Sequence, residues 1–303
     1  MNNVLKLGQD QIKLLEKILI ERGLEKKEVA GGTAYRSIDC IITIYNTGKV
    51  LFQGKKVEVL HSEVCSALFG DSSAGNEGLD MGVQEALEEI KTWPRIGSDE
   101  SGKGDFFGPL VTTAFLVKSK EVESELIAIG VKDSKKLSDK QIKELATKVR
   151  ALGDFVVIKI GPQRYNELYA KFHNLNNLLA WSHARAIENV LEKNSAELIV
   201  ADQFGDKSLI ERALFAKGKN VKLQQRHKAE ADVAVAAASI LARDTFVNSI
   251  EALSREHGVL LPLGSGNTVI ATAQKLAKEK GIIVLDGLAK THFKTYDVVK
   301  SKF

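Results

Sequence analysis

The chain has 303 residues, 44% of them hydrophobic, and a formal net charge of +4 at pH 7. This length allows a sizeable core in two domains or one large domain, and the mild positive charge permits a polyanionic partner without requiring one. No apolar run approaches the ~18 residues of a membrane span, and no signal-peptide pattern opens the chain. Cys40 and Cys65 lie among apolar residues without metal-ligand spacing, which indicates reduced thiols. We therefore expect a cytoplasmic protein that does not bind a membrane.

The first part of the chain predicts a small α+β domain. Apolar residues at helical spacing predict a helix over residues 9–23. Two β-rich runs, 38–45 and 49–53, flank the turn Asn46-Thr47-Gly48 and predict a hairpin. Residues 70–82 are dense in Gly, Ser, Asn and Asp, which is typical of a linker. We thus expect a first domain at residues 1–80, a linker at about 70–90, and a second domain at residues 91–303.

The second domain alternates strands with helices. The predicted strands begin with residues 95–98 and continue with "PLVTTAFLV", "DFVVIKI", "AELIVAD" and "VKLQQ". The predicted helices cover residues 139–151, 175–192, 207–216, 232–249 and 268–281. Mixed strands with covering helices predict an α/β layered domain.

Two adjacent carboxylates, Asp99 and Glu100, follow the first of these strands in "IGSDESGKGDFFGPL". A regular strand would send them to opposite faces, and the glycines beyond them allow a bend that swings the second carboxylate toward the first. Asp202 follows the apolar run "ELIVA", so its carboxylate should emerge at the carboxyl end of a buried strand, where ligand sites collect. The alternative for Asp99 and Glu100 is that they are surface residues exposed to solvent. The alternative for Asp202 is that it caps a helix or a turn.

A third acidic group, Glu230 and Asp232, stands at the start of a helix rich in small residues, where capping explains it equally well. If one of these acids converges with Asp99, Glu100 and Asp202, the site has only oxygen ligands, which suit Mg²⁺ or Mn²⁺ rather than zinc. Two such ions roughly 3.5–4 Å apart would suit hydrolysis of a phosphodiester. Sequence spacing does not establish that the four acids converge.

Six segments occur in order along the chain: "GSDESGKGDFFGPL", "VKDSKKLSD", "HNLNNLLAWSHARAIE", "IVADQFG", "HKAEADVAVAAASILAR" and "AKTHFK". Together they resemble the type 2 ribonuclease H family and, within it, bacterial ribonuclease HIII. The resemblance implies an α/β fold with a ribonuclease H-like mixed sheet and covering helices, preceded by a small α+β domain similar to half of a TATA-binding protein. It also implies an endonuclease that cuts the RNA strand of RNA/DNA hybrids with two Mg²⁺ or Mn²⁺ ions and leaves 5′-phosphate and 3′-hydroxyl ends. The expected enzyme is a monomer whose N-terminal domain holds the hybrid.

Carried over residue by residue, the resemblance assigns the metal to Asp99, Glu100 and Asp202, and catalysis to these three with a fourth acid. A shift of one or two residues exchanges Glu230 and Asp232 in that last role. We choose Asp232 and keep Glu230 as its rival.

The matching segments also contain the expected substrate-binding residues, which are Ser101, Gly102, Lys103, Gly104, Ser134, Lys135 and Asn174. Backbone N–H groups near the glycines can approach a phosphate closely, and Lys103 can meet its charge. Solvent exposure is the alternative for Lys103, and helix capping is the alternative for Asn174. We interpret His292 as structural or phosphate-facing rather than as a catalytic base.

Two other functions stay open. Ribonuclease HII-like incision at single ribonucleotides in DNA is disfavoured, because ribonuclease HII carries Gly-Arg-Gly where this chain has Gly102-Lys103-Gly104 and lacks such an N-terminal extension. A non-catalytic hybrid-binding protein would use its acids only as caps, and the intact carboxylate set argues against it.

Overall fold

The computed structural model describes residues 2–29, 31–37, 40–54, 64, 92–131, 137–202, 208–226 and 229–303. The chain divides into two compact units, Met1–Glu88 and Glu89–Phe303. Each unit has a hydrophobic core built against its own five-stranded sheet. The predicted linker at residues 70–90 lies outside the described residues.

The first unit is an antiparallel sheet with a helix on one face. Its elements are β1 (Asn2–Lys6), α1 (Gln9–Glu21), β2 (Glu25–Val29), β3 (Gly32–Arg36), β4 (Cys40–Tyr45) and β5 (Lys49–Gly54), and the strand order is β1-β5-β4-β3-β2. Helix α1 and the β4–β5 hairpin confirm the sequence prediction. The first three strands were not predicted, because a short, charged edge strand such as "EKKEV" lacks the apolar alternation that indicates a strand.

Helix α1 covers only one side of this sheet. Leu15 and Leu19 of the helix pack against Tyr35, Ile42 and Phe52. Because side chains alternate along a strand, the row formed by residues 34, 43 and 51 occupies the opposite side. Cys40 is buried and free, as expected for a reduced thiol, and Cys65 lies outside the described residues.

The second unit is a mixed sheet between helical layers. Its strands are β6 (Arg95–Ser101), β7 (Leu110–Val117), β8 (Phe155–Ile160), β9 (Leu198–Asp202) and β10 (Lys222–Arg226). Its helices are α2 (Lys120–Ala128), α3 (Asp139–Leu152), α4 (Pro162–Phe172), α5 (Leu175–Leu191), α6 (Ser208–Ala213), α7 (Val233–His257), α8 (Asn267–Lys280) and α9 (Lys294–Lys300). Short 3₁₀ turns occur at Gly218–Asn220, Ala229–Ala231 and Ile282–Gly287.

The strand order in this sheet is β10-β9-β6-β7-β8. Strands β10, β9 and β6 run parallel, whereas β7 is antiparallel to both of its neighbours, β6 and β8. This is the ribonuclease H-like mixed sheet with covering helices that the sequence predicts. Helices α2 and α4 were not predicted, although Pro162 at the first position of α4 is a recognised start signal.

Alternate residues of β7 divide the core between the two helical layers. Phe115 and Val117 pack with α3 and α7, whereas Ala114 and Leu116 pack with α5. The layer of α7 lies very close to the sheet, because a side chain at Gly97 would overlap the backbone of the helix at residues 234 and 235. Helix α7 is long and apolar enough to cross a membrane, but 72% of its most apolar window is buried in the protein, as in a core helix.

Candidate active site

The carboxyl ends of β6 and β9 bring three acidic residues to one edge of the sheet. The two strands are parallel neighbours in which Ser98 pairs with Ala201, so Asp99 and Asp202 follow side by side. Together with Glu100 they line a cavity of about 460 Å³. Three of the four predicted carboxylates therefore line one cavity, at the edge where ligand sites of such sheets collect.

Strand β6 is regular where we expected a bend. Every residue from Arg95 to Ser101 pairs with β7, so Asp99 and Glu100 project to opposite faces. Asp99 is hydrogen-bonded to Ser239 of α7, whereas Glu100 contacts His183 of α5. The expectation that the glycines bend the chain between the two acids is wrong. The strand ends at the cavity, and each carboxylate reaches it from its own side.

The environment of Asp99 disfavours the charged form of its carboxyl group. Burial raises the pKa of its carboxyl group above the ordinary value, and the negative charges of Glu100 and Asp202 raise it further. Hydrogen bonds from Ser239 and from the Glu100 N–H, at 2.8 Å, oppose these effects without cancelling them. A positive charge placed among the three carboxylates would relieve this repulsion.

Glu100 has the opposite environment. Its Oε2 lies 3.1 Å from Nε2 of His183, and its Oε1 lies 3.4 Å from Nζ of Lys103. Burial raises the pKa of the Glu100 carboxyl group, but the hydrogen bond and electrostatic interaction with His183, together with the Lys103 ammonium, outweigh burial and hold it below its ordinary value. Glu100 is therefore the ionised member of the adjacent pair.

The glycine-lysine-glycine turn forms one wall of the cavity. Gly102 has a φ of 86°, and a side chain there would overlap the carbonyl of Pro109, so glycine is required. No atom of the described residues lies within 4 Å of a side chain added at Gly104, so its backbone is open toward that part of the protein. Ser101 and Lys103 also line the cavity. The ion pair with Glu100 keeps the Lys103 side chain at the cavity, although part of it is exposed to solvent.

A buried lysine supports this turn from the protein interior. Nζ of Lys290 donates to the carbonyl oxygens of Asp105 and Gly108, both at 2.8 Å. Burial lowers the pKa of Lys290 to about 7, and the neighbouring Asp105 charge opposes the shift. The segment "AKTHFK" thus fixes the chain that follows the turn.

Asp232 has other partners. Its Oδ1 accepts hydrogen bonds from the N–H groups of Ala234 and Val235, which caps α7. Its Oδ2 forms an ion pair of 2.9 Å with Arg95, a buried residue that also pairs with Glu123. Arg95 begins β6, four residues and roughly 13 Å of strand before Asp99. Asp232 does not line the cavity, and the structure gives it the capping role that was the alternative in the sequence.

Glu230, the rival for the fourth position, does not line the cavity either, but it adjoins a residue that contacts Asp202. It follows Ala229, whose N–H donates to Oδ1 of Asp202 at 3.4 Å. This contact brings the turn Ala229–Ala231 to the carboxyl end of β9.

Asn174, another predicted substrate residue, is not among the described residues that line the cavity. Asn174 caps α5 through a hydrogen bond of 2.7 Å from the N–H of Asn176, which is the alternative given for it. Ser134 and Lys135 lie outside the described residues. Their roles stay predictions.

Sequence reasoning missed three residues of the site. His183, Ser239 and Arg243 all fall within the quoted motifs but were assigned no role. Ser239 and Arg243 line the cavity from α7, and Nε of Arg243 donates to Asp139 at 3.1 Å. A polar residue inside an otherwise small and apolar helix, such as Ser239, was the available signal.

The donor set fits a hard divalent cation. The three acids that line the cavity offer only oxygen atoms, which are the ligands that such a cation prefers. Among the described residues, no group of three acidic, histidine or cysteine side chains is already gathered tightly around a single point. This agrees with the projection of Asp99 and Glu100 from opposite faces of β6.

Comparison with known proteins shows the family to which the chain is similar. The family profile described as Ribonuclease HII matches residues 96–296. Ribonuclease HIII of Protochlamydia amoebophila is 41% identical over 261 residues, which cover 86% of this chain and 83% of that protein.

Solved structures separate the two branches of the family by their coverage. The crystal structure of Bst-RNase HIII in complex with Mn²⁺ matches with a TM-score of 0.67 and 30% identity, and covers 100% of this chain and 99% of that one. Ribonuclease H2 from Pyrococcus horikoshii matches with a TM-score of 0.59 and 27% identity, but covers 69% of this chain and 97% of its own. Because the likeness to ribonuclease HIII extends over both units, the chain belongs to the type 2 ribonuclease H family, on its ribonuclease HIII branch.

Proposed function

We propose that this ribonuclease H hydrolyses the RNA strand of RNA/DNA hybrids at the cavity of Asp99, Glu100 and Asp202, with Mg²⁺ or Mn²⁺ as cofactor. The observation that carries the proposal is that these three carboxylates line one cavity, where burial and the neighbouring negative charges raise the pKa of Asp99. An oxygen-only set of this kind accepts a hard divalent cation. The Mn²⁺ complex of Bst-RNase HIII supports the same choice of metal.

The reaction we propose is a two-metal hydrolysis. Two bound ions would supply the charge that activates a water molecule and stabilises the leaving oxygen. Water adds to phosphorus, the bond from phosphorus to the 3′-oxygen breaks, and the products carry a 5′-phosphate and a 3′-hydroxyl. Asp99, Glu100 and Asp202 hold the metal, while Lys103 and the open backbone at Gly104 contact the phosphates of the RNA strand.

We infer that the fourth carboxylate is Glu230 rather than Asp232. Asp232 is already occupied by the cap of α7 and by Arg95. Glu230 adjoins the residue that contacts Asp202. The rival assignment that the sequence left open is thus the one that the contacts favour.

The first unit is proposed to hold the hybrid as a TATA-binding-protein-like domain at residues 1–80. Its sheet has one side covered by α1. The opposite side carries Thr43 and Leu51 at its centre, but Thr43 is buried, so we assign the hybrid to this unit as a whole and not to one face of its sheet. Monomeric state and cytoplasmic location stay predictions from the sequence.

A carboxylate scan tests the active site. Asp99→Asn and Asp202→Asn should each lower the rate of hybrid cleavage by roughly 1,000-fold at saturating substrate, because a lost metal ligand removes several kcal/mol of transition-state stabilisation. The measurement is single-turnover cleavage of a labelled hybrid with Mg²⁺ or Mn²⁺. Near-full activity in either variant, with an unchanged melting temperature, would refute the site.

The same scan separates the two candidates for the fourth position. Glu230→Gln should lose activity as Asp99→Asn does while keeping its stability. Asp232→Asn should keep most of its activity and lose up to about 3 kcal/mol of stability, because buried Arg95 then has one anion fewer. The reverse pattern would return the role to Asp232.

The substrate preference is tested with two duplexes of equal length. One contains a long RNA stretch opposite DNA, and the other contains a single ribonucleotide. We expect efficient cleavage only of the first. Preferential incision at the single ribonucleotide would instead indicate an activity of the ribonuclease HII kind.

A further inference from the structure

His183 is a buried histidine whose ring joins an acidic residue of the site to the core of the sheet. It lies in the middle of α5 and its side chain is fully buried. Its Nε2 is 3.1 Å from Oε2 of Glu100, and its Nδ1 is 2.7 Å from Oγ of Ser98. Both ring nitrogens are therefore bound, and the orientation of the ring is fixed.

Ser98 connects the ring to the next strand. Its hydroxyl group also donates to the carbonyl oxygen of Thr113 in β7, at 3.1 Å. The series of contacts runs from Glu100 through His183 and Ser98 to the backbone of the sheet. It lies on the α5 side, because Ser98 and Glu100 are two residues apart on a regular strand.

The two oxygens of Glu100 differ in how firmly they are held. Oε1 pairs with Lys103, which lies on a turn and whose side chain is 38% exposed. Oε2 contacts a fully buried ring on a 17-residue helix. A hydrogen bond from a buried group restricts its partner more than one from an exposed lysine, since long exposed side chains retain rotamer freedom. The orientation of Glu100 therefore depends chiefly on His183.

We propose that His183 is a positioning residue that orients the Glu100 carboxylate for metal binding, with Ser98 fixing the ring. The inference rests on the proposed function, in which Glu100 is a metal ligand. Residues that hydrogen-bond a metal ligand without touching the metal fix the direction of that ligand. Their loss typically lowers metal affinity about 10–100-fold. A histidine that only fills the core would affect stability and leave metal affinity unchanged.

Two amide substitutions separate the functions of the two ring nitrogens. In His183→Gln the side-chain amide nitrogen occupies the position of Nε2 and can still contact Glu100. In His183→Asn it occupies the position of Nδ1 and can still contact Ser98. We expect His183→Asn to bind Mn²⁺ at least about tenfold more weakly than the unaltered chain, and His183→Gln to stay within about threefold of it.

The measurement is Mn²⁺ binding by calorimetry on the full chain, together with the Mn²⁺ dependence of cleavage and the KM for a long hybrid. Weaker Mn²⁺ binding and a higher Mn²⁺ requirement in His183→Asn, with KM for the hybrid unchanged, support the proposal. Equal Mn²⁺ affinities in the two amide variants would overturn it. Ser182→Ala is the matched control, because Ser182 lies beside His183 and hydrogen-bonds Thr112 but does not contact Glu100. The Ser182→Ala variant should lower the melting temperature and leave Mn²⁺ affinity unchanged.

The Glu100→Gln variant distinguishes a failure of the proposed active site from a failure of the role proposed for His183. If Glu100→Gln binds Mn²⁺ as tightly as the unaltered chain, then Glu100 is not a ligand and the proposed site is wrong. If Glu100→Gln loses Mn²⁺ binding while both His183 variants keep it, the site stands and the role of His183 is refuted.

Discussion

At the scale of single residues, the motif "AKTHFK" contains two unusual side chains. Lys290 supports the glycine-lysine-glycine turn, and His292 lies among aromatic rings. His292 stacks on Tyr169 at 4.1 Å between ring centroids and on Tyr165 at 5.5 Å. Its Nδ1 is buried and has no hydrogen-bond partner among the described residues. Burial lowers its pKa to about 4, and the positive charge of Lys290 acts in the same direction. His292 is thus a neutral, partly buried residue near neutral pH, which favours the structural interpretation.

This histidine predicts a loss of stability in mild acid. Between its ordinary pKa of 6.5 and its folded value of about 4, the unfolded chain binds a proton that the folded chain does not, so the free energy of unfolding falls as pH falls through that window. His292→Phe keeps the aromatic stack but cannot titrate. Urea unfolding at pH 7 and pH 4.5 should show a smaller acid loss in the variant than in the unaltered chain. The same acid loss in both would contradict the prediction.

Some features of the site could be predicted from the sequence, and others could not. Asp99, Glu100 and Asp202 could be predicted from the sequence because they follow β-rich runs. The carboxyl ends of such strands meet at one edge of a sheet. The contact between Asp232 and Arg95 could not be predicted, because the two residues lie 137 positions apart and no local pattern shows it. The bend expected after Asp99 was wrong for a related reason, since pairing with β7 keeps β6 straight.

At the scale of elements, the approach of α7 to β6 organises the second unit. The helix was predicted from its run of small residues, and the structure shows why they are needed. Ala234, Ala237 and Ala238 are all buried against the sheet. Strands β1, β2 and β3 of the first unit, in contrast, could not be predicted, because their stability comes from pairing with neighbours rather than from their own sequence.

Gly97→Ala should destabilise the protein strongly. The added methyl group would overlap the backbone of α7, which cannot move without disturbing the buried core, so we expect a loss of about 3 kcal/mol or more. Gly104→Ala is the matched control, because no atom lies within 4 Å of its added methyl group, and its stability should change by less than about 0.5 kcal/mol. Chemical denaturation measures both. Equal stability of the two variants would show that the helix can move away from the strand.

At the scale of the whole molecule, the chain carries two cores that divide near residue 88. The proposed division of labour gives substrate binding to the first unit and chemistry to the second. Two linked binding surfaces strengthen each other because the second contact becomes intramolecular.

Removing residues 1–88 should therefore raise the KM for long hybrids by roughly 100-fold while the cleavage rate at saturation changes little. Steady-state kinetics on the shortened chain measures both quantities, and circular dichroism with a melting curve checks that the second unit is folded. An unchanged KM in a folded fragment would contradict the binding role of the first unit.

The regular course of β6 has a consequence for variation in this protein. Because neighbouring side chains leave a strand on opposite sides, Asp99 depends on the layer of α7 and Glu100 on the layer of α5. A core substitution that shifts either helix relative to the sheet would change the distance between the two carboxylates without altering any residue of the cavity. Divergence of the core in either layer is therefore expected to retune metal preference at a distance, even in chains whose acidic residues are identical.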